Sequence, residues 1–236
     1  MEKDFMLDSG DFVGVSFWII SAAMVAATFF FWVERDRAEG KWKTSLTVAA
    51  MVTGIAAIHY FYMREIWVVA GESPTVFRYV DWLLTVPLQI IEFFLILSAI
   101  AVVSTTLFWR LLVASVVMLV AGYLGEVEQG GMLWPMFIVG LLAWIYIIYE
   151  IFAGEASKIN ENSGTVASKK AFHALRLIVT VGWAIYPLGY FLGYNGSADA
   201  NTLNIIYNLA DFVNKIAFGV VIWAAATSSN ANESAA

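Results

Sequence analysis

Five ionisable residues stand inside stretches that are otherwise apolar: Arg78, Asp81 and Glu92 in one, Asp211 and Lys215 in another. Acids and a lysine in such surroundings do proton chemistry when their spacing lets them face one another. Asp81 and Glu92 are eleven positions apart. At about 100° per residue this leaves them about 20° apart around a helix and roughly 16 Å apart along it. Thr85 falls between them on nearly the same face, and Arg78 lies about one turn before Asp81. Asp211 and Lys215, at i and i+4, meet on one helical face. A lysine flanked by two carboxylates, with a third acid to one side and an arginine to the other, is a layout for a proton wire. Desolvation and neighbouring charge can set the proton affinities of such acids apart. A structural ion network uses the same residue types, but five charges converging in this order favour the proton wire.

The elements that must hold these residues follow from composition. The chain has 236 residues, of which 61% are hydrophobic and 14% charged. A soluble domain carries about 25% charge, so the excess apolar surface must face lipid. Seven stretches of spanning length occur, at 12–34, 44–68, 74–100, 105–125, 132–153, 171–193 and 202–227. They predict an all-α, seven-transmembrane-helix bundle filling one domain, 1–236. Ser73 is expected to cap the third span with Pro74 at its first position. Arg35, Arg37, Lys41, Lys43, Arg110, Lys158, Lys169, Lys170 and Arg176 flank one side of the bundle, and Lys3 and Arg64 the other. This asymmetry places the N-terminus outside and the C-terminus in the cytoplasm of a multi-pass protein of the cell (inner) membrane.

Several classes drop out. A net charge of −6 gives no reason to expect a nucleic-acid partner, and the absence of cysteine removes disulfides, thiolate metal sites and cysteine nucleophiles. No nucleophile–base pair or metal-ligand spacing is present, so neither conventional catalysis nor a metal is expected. The acidic first residues, MEKDFMLDSGD, lack the basic start of a secretory leader. Such a leader is therefore expected to be absent or already removed. Three further polar features are less decisive. Gln89, eight residues beyond Asp81, is an amide in an apolar span, which is costly without a partner or a use. His59 is a lone histidine on the second span, and His173 a solvated one by the basic loop. Pro87 and Pro187, inside spans, are either tolerated kinks or kinks that shape a pocket.

Three segments carry a resemblance. RYVDWLLTVPLQIIEF, Arg78 to Phe93, resembles the third helix of the microbial rhodopsins; GWAIYPLGYF, Gly182 to Phe191, their sixth; NLADFVNKIAFGVVIW, Asn208 to Trp223, their seventh. The likeness is closest to the proteorhodopsins and extends over nearly the whole chain. It implies a light-driven outward proton pump with all-trans retinal bound covalently at Lys215 as a protonated Schiff base. It implies Asp81 as proton acceptor, Asp211 as second counterion, Arg78 as their outer stabiliser and Glu92 as cytoplasmic proton donor, with Thr85 completing the pattern. Tyr79, Trp82, Gln89, Met118, Gly122 and Phe137 would line the pocket. So would Trp183, Tyr186, Pro187, Tyr190 and Tyr207, with Asn214 beside the lysine. In this family glutamine at the position of Gln89 goes with blue absorption and leucine with green, so a blue-absorbing pigment is implied. The resemblance pairs His59 with Asp81 and brings Trp18 to the matching histidine of a neighbour in a homo-oligomeric ring.

The alternative within the fold is a sensory rhodopsin signalling through a partner protein. Glu92 argues against it, because a sensor needs no fast internal donor. Asp81 argues against a halide pump, which would keep that site neutral. A receptor coupled to G proteins is disfavoured because the third span ends IAVVS, without an acid–arginine pair, and the seventh lacks an NPxxY-type segment.

Overall fold

The computed structural model describes residues 6–128 and 131–233, with side chains to residue 228. Among these residues seven segments are long and apolar enough to cross a membrane: Phe12–Arg37, Gly40–Ala70, Thr75–Ile100, Thr105–Glu128, Leu133–Ser163, Val166–Tyr194 and Ala200–Ser228. No strand occurs among the described residues. Lipid offers backbone amides no hydrogen-bond partners, so each segment satisfies its own as a helix. The α-helices are α1 (Phe12–Glu34), α2 (Gly40–Ala70), α3 (Thr75–Ile100), α4 (Thr105–Glu128), α5 (Leu133–Phe152), α6 (Glu155–Ser163), α7 (Val166–Leu177), α8 (Ile185–Tyr194) and α9 (Ala200–Glu233). The sixth crossing is α7 and α8 joined through a π turn at Ile178–Gly182.

Antiparallel neighbours give the bundle two ends. At the Asp11 end, the Asp11 carboxylate caps α1 by accepting from Gly14 N at 2.9 Å, and it also accepts from Trp67 Nε1 of α2 at 2.9 Å. α2 stops at Gly71, whose φ of 70° is left-handed and suits glycine. At the Arg110 end, Arg110 of α4 pairs with Glu150 of α5 at 3.4 Å and with Glu155 of α6 at 2.5 Å. Glu150 in turn accepts from Glu155 N at 3.1 Å, which closes the start of α6. Glu34 of α1 accepts from Trp223 Nε1 of α9 at 2.7 Å.

Two expectations change. Ser73 does not cap α3. Pro74 is the flanking residue, and Thr75 N is satisfied by the Ser73 carbonyl at 2.9 Å, so the Ser73 hydroxyl is free to accept from Asn204 Nδ2 at 2.8 Å. It therefore ties α3 to α9. The polar stretch after residue 153 is also helical rather than a loop, since α6 and the start of α7 fill it. Ala156 and Asn160 of α6 are buried, so this short helix is held by packing against the bundle.

Candidate functional site

α9 and α3 bring the five charges together. Lys215 Nζ makes a short ion pair with Asp81 and a longer one, 3.0 Å, with Asp211. All three side chains are almost wholly shielded from solvent. The two carboxylates are held very differently. Asp211 accepts from Tyr60 OH at 2.8 Å, Trp82 Nε1 at 3.1 Å, Tyr186 OH at 2.6 Å and Lys215. Four donors to one carboxylate stabilise its negative charge at that place. On Asp81, one oxygen faces Lys215 and the other makes no hydrogen bond. His59 Nδ1 lies 3.5 Å from that second oxygen and is closer, at 3.0 Å, to its own backbone partner Ile55 O. Asp81 is thus the carboxylate with room for a proton. The Thr85 hydroxyl turns to the Asp81 carbonyl at 2.9 Å and does not engage the Asp81 side chain.

Arg78 is buried and makes no ion pair among the described residues. Its guanidinium donates to Asn204 Oδ1 at 2.9 Å, Asn208 Oδ1 at 2.8 Å and Tyr60 OH at 3.3 Å. The rings of Phe17, Tyr60 and Tyr207 surround it at 5.5–6.0 Å. Its link to Asp211 runs through the Tyr60 hydroxyl, so its action on the carboxylates is indirect. The asparagines hand the chain on towards the Asp11 end: Asn208 Nδ2 donates to Ser16 Oγ and Asn204 Nδ2 to Ser73 Oγ, each at 2.8 Å.

Glu92 lies on the other side, towards the Arg110 end. It is 1% exposed and neither carboxyl oxygen makes a hydrogen bond of good geometry. The Ser45 hydroxyl is the polar group beside it. Phe93, one residue on, packs edge-on against Phe172 and Phe218 at 5.3 and 6.4 Å.

A cavity runs from Lys215 between α3, α4, α5 and α8, enclosing about 810 Å³ of space between atoms, part of it open at the surface. Tyr79, Trp82 and Gln89 line it from α3, Met118 and Gly122 from α4, and Phe137 from α5. Trp183, Tyr186, Pro187, Tyr190 and Tyr207 complete the set expected from sequence. Pro187 thus lies on the cavity wall, whereas Pro87 does not. Asn214 stands just behind the wall, donating to Gly182 O at 3.0 Å and Tyr186 OH at 3.3 Å. Gln89 Nε2 donates to the Asn214 carbonyl at 3.2 Å, beside the lysine's own backbone. Trp18 is half exposed on the bundle surface, beneath the Arg64 guanidinium and edge-on to Phe61. His173 is exposed on α7, 2.9 Å from Arg176.

Five residues matter here that the sequence does not single out. Tyr60 joins Arg78 to Asp211, Asn204 and Asn208 hold Arg78, and Trp144 lines the cavity. Glu126 is also on the cavity wall, accepting from Tyr79 OH at 2.9 Å. Tyr60 and the asparagines act across spans, so only their polarity in apolar runs marks them.

Comparison with known proteins gives a consistent result. Residues 11–229 match the family described as "Bacteriorhodopsin-like protein". The chain is 56% identical over 230 residues to the green-light absorbing proteorhodopsin of Gamma-proteobacterium EBAC31A08, covering 96% of this chain and 91% of that one. It is 53% identical over 229 residues to the blue-light absorbing proteorhodopsin of Gamma-proteobacterium Hot 75m4, covering 96% and 90%. The crystal structure of blue light-absorbing proteorhodopsin from Med12 superposes with a TM-score of 0.81 at 55% identity, covering 93% of this chain and all of that one. Identity alone does not separate the two colours.

Proposed function

The chain belongs to the bacteriorhodopsin-like family, and from that footing we propose that it is a light-driven outward proton pump with all-trans retinal bound covalently to Lys215. The observation that carries this reading is the unequal pair of buried carboxylates on one buried lysine, at the end of an aromatic cavity. Ligand pockets occupy about 300–1,000 Å³ and are mostly apolar with few polar groups. This one is lined mostly by apolar and aromatic side chains, and its polar end is the lysine amine. The residues therefore fit a polyene aldehyde. Held there through Lys215, retinal would supply light absorption and photoisomerisation.

The rest is done by the chain. Asp211, held by four donors, keeps its charge and serves as the fixed counterion. Asp81 takes the proton at the carboxylate facing Lys215. Tyr60, Arg78, Asn204 and Asn208 form the polar route from there to the Asp11 end, which the lysine and arginine bias assigns to the outside. Glu92 returns a proton to Lys215 from the cytoplasmic side. His59 sits where it can tune Asp81. Gln89 places an amide beside the lysine end of the cavity, which favours charge localised near the nitrogen and gives blue absorption. The protein is assigned to the inner cell membrane and to a ring of copies, in which Trp18, exposed on the bundle surface, meets the partner's His59.

The test is a light-induced pH change in cells supplied with all-trans retinal. Illumination is expected to acidify the medium, and Lys215→Ala is expected to give colourless cells with no such change. A coloured Lys215→Ala protein overturns the attachment site; an intact pigment that moves no protons points to the sensory reading.

A further inference from the structure

The sixth span is not a plain α-helix where it meets the cavity. Trp183 N donates to Ile178 O at 3.0 Å, five residues back, and Tyr186 N donates to Trp183 O at 3.1 Å, three residues back. A wide turn is followed at once by a tight one. In an α register Trp183 N would serve Val179 O and Tyr186 N would serve Gly182 O. Both carbonyls lose that partner inside an apolar span, where an unsatisfied group costs several kcal/mol.

Each is instead met by a side chain from a different span. Trp144 Nε1 of α5 donates to Val179 O at 2.9 Å, and Asn214 Nδ2 of α9 donates to Gly182 O at 3.0 Å. Gly182 leaves room for this: a Cβ there would run into Asn214 Oδ1. Trp144 and Trp183 both line the cavity.

We propose that Trp144 is a positioning residue of the pump, whose indole N–H holds the π turn open and so sets Trp183 against the chromophore cavity. The proposal rests on the pump reading above. Without the indole donor, the Val179 carbonyl regains a partner only if Trp183 N returns to it. That exchange restores the α register and draws the Trp183 backbone away from the position that fixes its ring on the wall. A π turn kept by a side chain from another helix has two discrete hydrogen-bond states, and Trp144 selects one of them.

The experiment uses the full-length, retinal-loaded protein labelled with 13C at valine carbonyls and 15N at threonine. The sequence contains two Val-Thr peptide groups, Val52–Thr53 and Val179–Thr180. Solid-state NMR filtered for that pair therefore gives two signals, and Val52 serves as internal reference. In Trp144→Phe, which keeps a ring of similar shape, the Val179 carbonyl signal is expected to move while Val52 stays. Colour recovery after a flash is expected to slow several-fold. An unmoved Val179 signal overturns the cap, whatever the recovery rate. A moved signal with wild-type recovery overturns the positioning role. The dark-state signal is read without any pumping, so a failure of the pump reading in the wild type remains distinguishable from a failure here.

Discussion

On the Asp11 side of Lys215 a continuous run of hydrogen bonds leads from Asp211 through Tyr60 and Arg78 to Asn204 and Asn208, and on to Ser73 and Ser16. On the Arg110 side Glu92, buried on α3, makes none of good geometry and is followed by a packed aromatic layer of Phe93, Phe172 and Phe218. The two halves of the interior differ in polar continuity. A connected half exchanges protons with the lysine region readily. An unconnected half delivers a proton only when the structure lets it. Unequal wiring on either side of one nitrogen thus adds to the unequal holding of the two carboxylates in favouring one direction.

The sharpest way to break this comparison is to remove the junction of the two halves. Asp81→Asn is expected to reduce light-driven proton transport to background, and to move the absorption maximum to longer wavelength because the cation loses a counterion. Flash spectroscopy with a pH dye checks both; transport at even a tenth of wild type would contradict the assignment. A smaller effect is expected in the unconnected half. Glu92→Gln keeps shape and colour and removes the donor, and an internal acid is worth about 10²–10⁴-fold in rate. Recovery at neutral pH should therefore slow about 100-fold, and recovery at the wild-type rate would show that the proton comes from elsewhere. The smallest effect concerns colour alone. Gln89→Leu removes the amide beside Asn214, and absorption should shift from blue towards green at alkaline pH with pumping retained. Coincident spectra of the two proteins would take Gln89 out of the colour assignment.

Much of this was legible in the sequence, for physical reasons. Charges in an apolar run must face inward, so helical geometry alone put Asp81, Glu92, Asp211 and Lys215 on interior faces. The unequal holding of Asp81 and Asp211 was not legible, because Tyr60, Trp82 and Tyr186 reach Asp211 from three different helices. Arg78 looks from spacing like a partner of Asp81, yet buried amides on α9 compete for it successfully. Ser73 reads as a cap and serves as a cross-link, since the proline after it lets the backbone close the turn alone. The π turn leaves no trace in periodicity at all. Phe172 and Tyr190 are both buried and eighteen residues apart, which is about five turns of an unbroken helix. The wide and tight turns cancel, and the apolar phase passes through them unchanged.

The unconnected surroundings of Glu92 have a meaning for the hours without light. A membrane potential favours inward return of each proton by roughly 2.3 kcal/mol per 100 mV, and every copy of the protein is a place where that return could occur. Aromatic packing next to an acid whose one polar neighbour is the Ser45 hydroxyl leaves a proton no continuous path. In darkness this half of the molecule is therefore expected to resist that return. A cell that holds many copies overnight is then expected to keep the gradient that they built by day.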